Sequence, residues 1–513
     1  MSAAASKSVL ARNTLWSVGG FGVQFVIPIV LVPYTISRVS MDQYGIWVIL
    51  FTLANWFSFF DLGLWGPVVR EVTERRAKGD LEGLRTLWAT WLTFDLVVGA
   101  LLVGVAAAIA PALIRQNAPR ADLAMAVPIF VGLAAQSVLT VVMRHLINTL
   151  QGLQRHDLTN LMAIAVTPLW VGGQVAFLEL GWGLRGLMLN GLLFAVLQIV
   201  ILLGMIARQG YPMTFSPARF SAAEFRRLLS HGWKFQANLM FFQGFRNDRV
   251  VISRWAPSDA MIAVYQLGAQ LMDRLAGAIT VLSSGILSAA SDLAARGDLD
   301  RVRVLFLRGT KYHALAGVGL LGFAALFGRE LMMFWMKRPL PEAVLVLRIM
   351  AIGGIATAIG SCGQSVAAAL GRAGWTAACS GMGLGATVIL YMTVGRRYDY
   401  VGLAASVSAG LALIQIAFMI GLRGFLEFRW REYVGKALLK PAVLAVPLAG
   451  VYAGWWALAP HLPAIDSRPR AFLLLSVAFL LSAGLGWGMA RAFRIVDDYD
   501  LDVLKSPGKS VAA

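Results

Sequence analysis

The chain has little charge, little acid and almost no cysteine. Only 14% of its 513 residues are charged and 58% are hydrophobic, whereas a soluble domain is about 25% charged. Because so few polar side chains cannot cover a globule of this length, the composition excludes a water-soluble protein. The only two cysteines, Cys362 and Cys379, both lie within apolar segments, which excludes a disulfide framework.

Catalytic motifs are also missing. The sequence contains no Gly-rich nucleotide loop, no HExxH and no CxxC, and its five histidines have no metal-ligand spacing. We therefore predict no catalytic residues, no metal and no cofactor. Without a nucleotide site, any transport must use an ion gradient (H⁺ or Na⁺), a membrane potential or the gradient of the substrate itself.

The shortage of acidic residues leaves a net charge of +18, from 45 Lys and Arg against 27 Asp and Glu. In a soluble protein this charge would suggest a nucleic-acid partner. Here the basic residues cluster in short loops, which is how membrane proteins set their topology. With the N-terminus placed in the cytoplasm, 28 Lys and Arg fall inside and 12 outside. The asymmetry predicts a multi-pass inner-membrane protein with both termini cytoplasmic and no nucleic-acid partner.

Long apolar segments are abundant, and a spanning helix needs about 20 mainly apolar residues. The run after Lys7 and Arg12 has no small-x-small cleavage site before Arg38, so it is read as a spanning helix rather than a signal peptide. We predict fourteen spanning helices, at about 14–36, 44–67, 87–110, 123–149, 159–180, 185–207, 233–255, 260–288, 309–328, 343–369, 375–395, 401–422, 441–459 and 471–492.

A short charged sequence occurs twice. Residues 77–87 read AKGDLEGLRTL and residues 295–305 read ARGDLDRVRVL, so that Asp80 of the first copy corresponds to Asp298 of the second. The interval between the copies contains six predicted helices, so helices 1–6 are expected to repeat as 7–12, with helices 13 and 14 added. A duplicated polytopic membrane protein is most often a transporter with its site between two related halves.

The repeat divides the chain into five predicted parts. The linker ends with a basic amphipathic stretch, near Phe220 to Leu229, that is expected to lie on the inner leaflet. The parts are an N-terminal six-helix bundle (1–207), a cytoplasmic linker (208–232), a C-terminal six-helix bundle (233–425), the extra helices 13 and 14 (426–493) and a cytoplasmic tail (494–513).

Polar side chains form stripes on four predicted helices. Ionisable residues in lipid are costly and usually face a cavity or a partner. Because the repeat pairs helices 1 and 2 with helices 7 and 8, the four helices are expected to line a hydrated cavity between the halves. The stripes include Gln24 on helix 1, Asn55 and Asp61 on helix 2, Gln243, Arg246, Asn247 and Arg249 on helix 7, and Gln266, Gln270, Asp273 and the adjacent Arg274 on helix 8.

Each of these groups also has a structural interpretation. Stripes of Ser, Thr and Gly often mark helix-packing seams. Asp273 can pair with Arg246 or Arg249 merely to hold helices together, and Asp61 can cap a kink before Gly63. Arg144, near a helix end, is consistent with snorkelling to the interface.

Three segments carry a resemblance to a known family. They are RNTLWSVGGFGVQFVIPIVLVPYTISRVSMDQYGIWVIL (residues 12–50), FFDLGLWGPVVRE (59–71) and RNDRVVISRWAPSDAMIAVYQLGAQL (246–271). They resemble the Wzx-type polysaccharide and O-antigen flippases of the MOP exporter superfamily, which includes MATE exporters and lipid II flippases. The resemblance covers most of residues 10–430. One departure is at Ser288 and Ala289, where family members often carry a proline.

The resemblance implies an all-α integral membrane protein in which two six-helix bundles form a V. It also implies a substrate, a polyprenyl-pyrophosphate-linked oligosaccharide moved from the inner to the outer leaflet for surface polysaccharide synthesis. Guanidinium groups bind pyrophosphate by charge-assisted hydrogen bonds, so Arg246, Arg249 and Arg274 are the candidate contacts. Asp61 and Asp273 are candidates for H⁺ or Na⁺ coupling. The amides able to bind sugar hydroxyls are Gln24, Asn55, Gln243, Asn247, Gln266 and Gln270.

Other functions stay open at this point. The same fold could carry lipid II or a drug, although several cavity arginines disfavour a cationic drug. A membrane glycosyltransferase or polysaccharide polymerase is an alternative of another class, but short outer connectors and a parallel repeat argue against it. Membrane lipids, a polymerase and chain-length machinery are the expected partners beside the substrate.

Overall fold

The structure, a computed structural model, describes the chain from residue 27 onward with short gaps, and the predicted site residues Gln24 and Arg246 lie outside the described residues. Throughout the described part the secondary structure is helical, without a strand, which confirms the all-α prediction. The chain divides into two compact units, Met1–Ala263 and Val264–Ala513. The described ranges are 27–245, 247–254, 256–280, 283–461, 467–493 and 495.

The α-helices described in unit 1 range in length from six to 37 residues. They are α1 (Ile27–Val39), α2 (Met41–Ala54), α3 (Trp65–Ala77), α4 (Leu81–Asn117), α5 (Leu123–Gly152), α6 (His156–Glu179), α7 (Gly183–Arg208), α8 (Ala222–Phe245) and α9 (Asp248–Ser253). A buried core of α3, α4, α5 and α7 side chains includes Trp88, Trp91 and Leu146.

Unit 2 begins within α10 and repeats this pattern with additions at its end. Its helices are α10 (Asp259–Thr280), α11 (Ser283–Ala295), α12 (Leu299–Ala316), α13 (Gly322–Leu326), α14 (Gly328–Met336), α15 (Pro341–Ala369), α16 (Ala373–Thr393), α17 (Asp399–Leu426), α18 (Trp430–Glu432), α19 (Lys440–Ala442), α20 (Ala445–Leu458) and α21 (Arg468–Ala492). Helices α20 and α21 pack on the aromatic side chains of α13 and α14.

Nine helices of the described residues are long and apolar enough to cross a membrane, or ten if the bent pair Leu299–Leu326 and Gly328–Met336 is one span. Helices α2, α8 and α10 do not pass this test. Helix α2 is only 14 residues long because predicted helix 2 is interrupted. Helices α8 and α10 carry predicted polar residues, and polar side chains lower mean hydropathy. The predicted first helix begins outside the described residues, so the count of fourteen stays a prediction.

The charged repeat forms the same helix-to-helix connector in both units. Gly79 and Gly297 adopt φ of 68° and 75°, a left-handed conformation that glycine adopts without steric cost. The next residue, Asp80 or Asp298, donates its N–H to Arg75 O or Leu293 O at 3.0 Å, which is the Schellman ending of a helix. Each aspartate then caps the following helix by accepting an N–H, from Gly83 at 2.8 Å and from Arg301 at 3.0 Å.

These caps explain why two helices begin before the apolar runs that predicted them. Helix α12 begins directly after Asp298 and α4 directly after Asp80, and the starts of α15 and α5 are separated by the same interval along the chain. The predicted duplication is therefore visible in the helix boundaries. The predicted domain boundaries, in contrast, stay a prediction, because compactness divides the chain after Ala263.

Loss of a cap is expected to loosen the first turn of the helix that it starts. Asp298→Ala should cost about 1 kcal/mol, as N-cap truncations do, and should raise amide hydrogen exchange at the start of α12. Asp300→Ala is the matched control, because its carboxylate makes only an exposed ion pair with Arg303 at 3.1 Å. Equal exchange in both variants would contradict the capping role.

Predicted helices 2 and 7, which carry polar stripes, are interrupted. Predicted helix 2 divides into α2, a 3₁₀ turn (Asn55–Phe59) and α3. At the break Gly63 has φ of 77°, and a Cβ there would lie 2.3 Å from the carbonyl oxygen of Gly232 on α8. Predicted helix 7 begins earlier, at Ala222, and ends at Phe245 before α9. The glycine contact lets the broken segment lie directly against α8.

Candidate functional site

In unit 2, the predicted polar stripe lies on the less covered face of α10. Gln266, Gln270 and Asp273 are half-buried and Arg274 is exposed, whereas the opposite face is buried and includes Leu267, Met272 and Ile279. A Cβ added to Gly277, on the stripe, would meet no atom within 4 Å. The stripe therefore lies on the side of α10 that its own unit covers least, and it carries amide, carboxylate and guanidinium groups.

In unit 1, the predicted residues lie around the two helix breaks. Oδ1 of Asn247, between α8 and α9, accepts a hydrogen bond from Trp56 Nε1 at 2.9 Å. Asn55 begins the 3₁₀ turn, and its carbonyl oxygen accepts from Ser58 Oγ at 2.8 Å. Gln243 is buried on α8. These contacts bring the break after α2 and the break after α8 together. The repeat had paired helix 1 with helix 7 and helix 2 with helix 8 as equivalents, so this contact between predicted helices 2 and 7 was not itself predicted.

Arg249 is buried and has a carboxylate beside it. Its Nη1 lies 2.6 Å from Asp248 Oδ1, and its backbone N–H donates to the same oxygen at 2.8 Å. In a continuous helix, residues 248 and 249 would point about 100° apart. The two residues instead form the first turn of α9, where neighbouring side chains can meet. Binding of a pyrophosphate by Arg249 would have to compete with this carboxylate.

Asp61 is fully buried and lies at the break that follows α2. Its Oδ2 is 2.8 Å from Arg144 Nη1 on α5, and its Oδ1 accepts the N–H of Gly63 at 3.1 Å. The sequence offered a capping role before Gly63 as one interpretation of Asp61, and this contact matches it. Arg144 was interpreted as a snorkelling residue, but its guanidinium turns inward to this carboxylate.

A second buried pair lies close to the first and was not predicted. Nδ1 of His145 on α5 lies 2.8 Å from Oδ2 of Asp95 on α4, and both side chains are fully buried. The indole of Trp91 stacks on the imidazole, with ring centroids 5.1 Å apart. The signal in the sequence was a lone acidic residue inside a 37-residue helix that is otherwise apolar beyond its first turns.

The end of unit 1 near the connector holds a network that we call the charge clasp, formed by Glu71, Arg75, Glu224 and Arg227. Arg75 Nη2 lies 2.5 Å from Glu224 Oε1 and 3.2 Å from Glu71 Oε2, and its Nη1 donates to Gly83 O at 2.6 Å. Arg227 Nη2 lies 3.0 Å from Glu71 Oε1. The clasp ties the start of α8 to α3.

The linker before α8 is held to the same surface. Hydrogen bonds from Arg219 and then Arg85 lower the pKa of Glu82, and the hydroxyl of Tyr211 donates to Leu84 O at 3.3 Å. Leu228 is buried, and Phe225 packs against the core of unit 1. The amphipathic stretch predicted to lie on the leaflet therefore packs at least partly on α3 and α4, because its apolar side chains find a protein core there.

The sequence of the chain matches the family described as polysaccharide biosynthesis protein over residues 38–336, more than half of its length. No curated protein matches it significantly.

Solved structures share the fold. One is the lipid II flippase MurJ in an inward closed conformation, with a TM-score of 0.69 and 12% identity over 94% of this chain and 99% of that chain. Another is an inward-facing multidrug resistance MATE family transporter of the MOP superfamily, with a TM-score of 0.64 and 14% identity over 79% of this chain and 98% of that chain. At such low identities the similarity shows the fold alone.

Proposed function

Because the chain belongs to the polysaccharide biosynthesis protein family and is a flippase-like transporter in fold rather than an enzyme, we propose that it flips a lipid-linked oligosaccharide. The substrate is an oligosaccharide on a polyprenyl pyrophosphate, moved from the inner to the outer leaflet of a bacterial inner membrane. It would supply the assembly of a surface polysaccharide, beside a polymerase and chain-length machinery.

The observation that carries this proposal is the polar stripe on the less covered face of α10. Arg274 is exposed next to the half-buried Asp273, and Gln266 and Gln270 follow on the same side. A guanidinium can bind pyrophosphate in a bidentate manner, and amides can both donate to and accept from sugar hydroxyls. Arg274 is the first candidate for the pyrophosphate because it is exposed, whereas Arg249 is buried. Lipid II also carries a pyrophosphate and sugars, so the family match rather than the stripe favours the oligosaccharide over it, whereas a cationic drug would be repelled by an arginine.

We expect Arg274→Ala to lower polysaccharide export about tenfold or more, since one charge-assisted hydrogen bond contributes roughly 1.5–3 kcal/mol and every 1.4 kcal/mol is about tenfold. Arg274→Lys should be intermediate, because lysine keeps the charge and loses the bidentate fork. The assay is complementation of a strain deleted for this gene, with export measured at matched protein levels.

The control is Arg296→Ala, which removes an equally exposed arginine whose partner is Asp292 at 2.9 Å; it should export normally. A loss of export with lipid-linked oligosaccharide retained on the inner face would locate the defect in flipping. Normal export by both Arg274→Ala and Arg249→Ala would overturn the pyrophosphate role.

Coupling to H⁺ or Na⁺ is part of the same proposal, with Asp61 and Asp273 as the carboxylates that the sequence indicated. Asp273 lies on the polar stripe of α10, and Asp61 contacts Arg144 and accepts the N–H of Gly63. Asp273→Asn is therefore expected to change the ion dependence of export. Asp61→Asn is expected to act first on stability.

A further inference from the structure

The Asp95–His145 pair in unit 1 has no role in substrate contact as proposed, yet it is the most deeply buried pair of titratable groups in the described chain. The two side chains are bound to each other at 2.8 Å and are both fully buried. Within the described residues, Oδ1 of Asp95 and Nε2 of His145 have no hydrogen-bond partner. Buried polar atoms are nearly always paired, so two open atoms on one pair call for an explanation.

The net charge of this buried site depends on whether the Asp95–His145 pair holds a proton. The charged groups that act on Asp95 besides His145 are Asp61 and Arg144, and these two already pair with each other at 2.8 Å. With one proton shared between carboxylate and imidazole, the Asp95–His145 pair is neutral overall. Loss of that proton leaves a net negative charge inside the helix bundle, which is costly without water. Proton exchange must therefore accompany a rearrangement that hydrates the site.

An aromatic ring lies directly against the imidazole. The face of Trp91 lies parallel to His145, with an interplanar angle of 19°, and aromatic faces attract cations. A single carboxylate with one imidazole is a poor site for Na⁺, which as a hard cation prefers several oxygen ligands. The chemistry of the pair thus selects a proton.

The equivalent position in unit 2 shows what a structural histidine looks like in this fold. In the register of the repeat, which aligns Asp80 with Asp298, Asp95 corresponds to His313. Both ring nitrogens of His313 are satisfied, Nδ1 by Gly309 O and Nε2 by Ser283 Oγ, each at 2.8 Å. No carboxylate is among these partners. The open, acid-paired histidine is a feature of unit 1.

We propose that Asp95 and His145 together form a proton-binding site that couples transport to the proton gradient. This inference rests on the proposed transport function, and it assigns the coupling proton to this pair in place of Asp61 and Asp273, the carboxylates that the sequence indicated. The proton belongs to the pair rather than to either residue.

The first test needs no transport. The full chain, labelled with ¹⁵N-histidine and placed in lipid nanodiscs, is titrated between about pH 5 and pH 9, and the His145 resonance is assigned by its loss in His145→Gln. His145 should change protonation in this range. Asp95→Asn should move its midpoint by about one pH unit or more to lower pH, because a tenfold loss of proton affinity follows from removing the carboxylate.

The matched control is His313→Gln, which should leave the titration of His145 in place. Should His145→Gln fail to fold, the resonance that shifts in Asp95→Asn and returns to the wild-type midpoint in Asp95→Glu identifies His145 and still decides. A His145 resonance that keeps one protonation state over the whole range, in wild type and in Asp95→Asn alike, overturns the proposal.

The second test uses proteoliposomes that contain a polyprenyl-pyrophosphate-linked oligosaccharide and an internal pH dye. An imposed pH gradient should accelerate flipping by the wild-type chain and by His313→Gln. In Asp95→Asn this acceleration should be about tenfold smaller. Acceleration by a Na⁺ gradient alone, with Asp95→Asn unaffected, overturns the proposal. If the wild-type chain flips nothing, the proposed function fails, and the titration alone decides on the proton site.

Discussion

Replacement of Arg144 by methionine is expected to destabilise unit 1 by about 3–5 kcal/mol, because it leaves the carboxylate of Asp61 buried without its partner. The carboxylate is fully buried and would keep only the N–H of Gly63. Asp61→Asn should cost less, since an amide oxygen can still accept that N–H. The free energy of unfolding of the purified protein in detergent, measured by denaturant titration, gives the magnitude.

The double variant Asp61→Asn/Arg144→Met should recover most of the loss, because it removes both charges at once. Lys78→Met is the control, since it breaks an exposed pair with Glu74 at 2.7 Å and should change stability by about 0.5 kcal/mol or less. Additive losses in the double variant would show that Asp61 and Arg144 do not interact in the folded protein.

Local sequence chemistry predicted the connectors and the duplication. In AKGD and ARGD the glycine ends one helix and the aspartate starts the next, so two short strings of letters specify four helix ends. Mean hydropathy predicted where long helices lie, but it could not predict their true ends or interruptions. The break at Gly63 depends on a backbone contact with Gly232, which is far away along the chain and lies on another helix. No local pattern carries such a contact.

The same limit applies to the candidate site: local spacing predicted which residues share a helix face, but not which residues on different helices meet. Periodicity placed Gln266, Gln270 and Asp273 on one face of α10, and the structure leaves that face less covered. Helical spacing did not pair predicted helices 2 and 7, whose residues Trp56 and Asn247 meet in the structure. It could not pair Asp95 with His145, or Asp61 with Arg144, because the register between two packed helices is set by side-chain volumes along their whole contact.

The charge clasp is the other place where one substitution should have a large effect. Arg75→Gln removes the guanidinium from two buried carboxylates, Glu71 and Glu224, whose side chains are 9% and 12% exposed. Like charges left facing each other with little solvent are costly, and we expect a loss of about 3–5 kcal/mol. Amide hydrogen exchange should rise at the start of α8 and in the linker before it, because these segments are held to α3 through Arg75.

The neighbouring Arg227 provides the control for this prediction. Arg227 is half-exposed, and it contacts Glu71 from the solvent side at 3.0 Å, so Arg227→Gln should cost about 1 kcal/mol or less. Adding Glu224→Gln to Arg75→Gln should restore part of the stability, since Glu71 then keeps Arg227 and faces a neutral amide. If Arg75→Gln and Arg227→Gln open the linker equally, the clasp depends on net charge at this surface. A loss confined to Arg75→Gln means instead that one buried guanidinium, with two carboxylates and the carbonyl of Gly83, fixes α8 to the first unit.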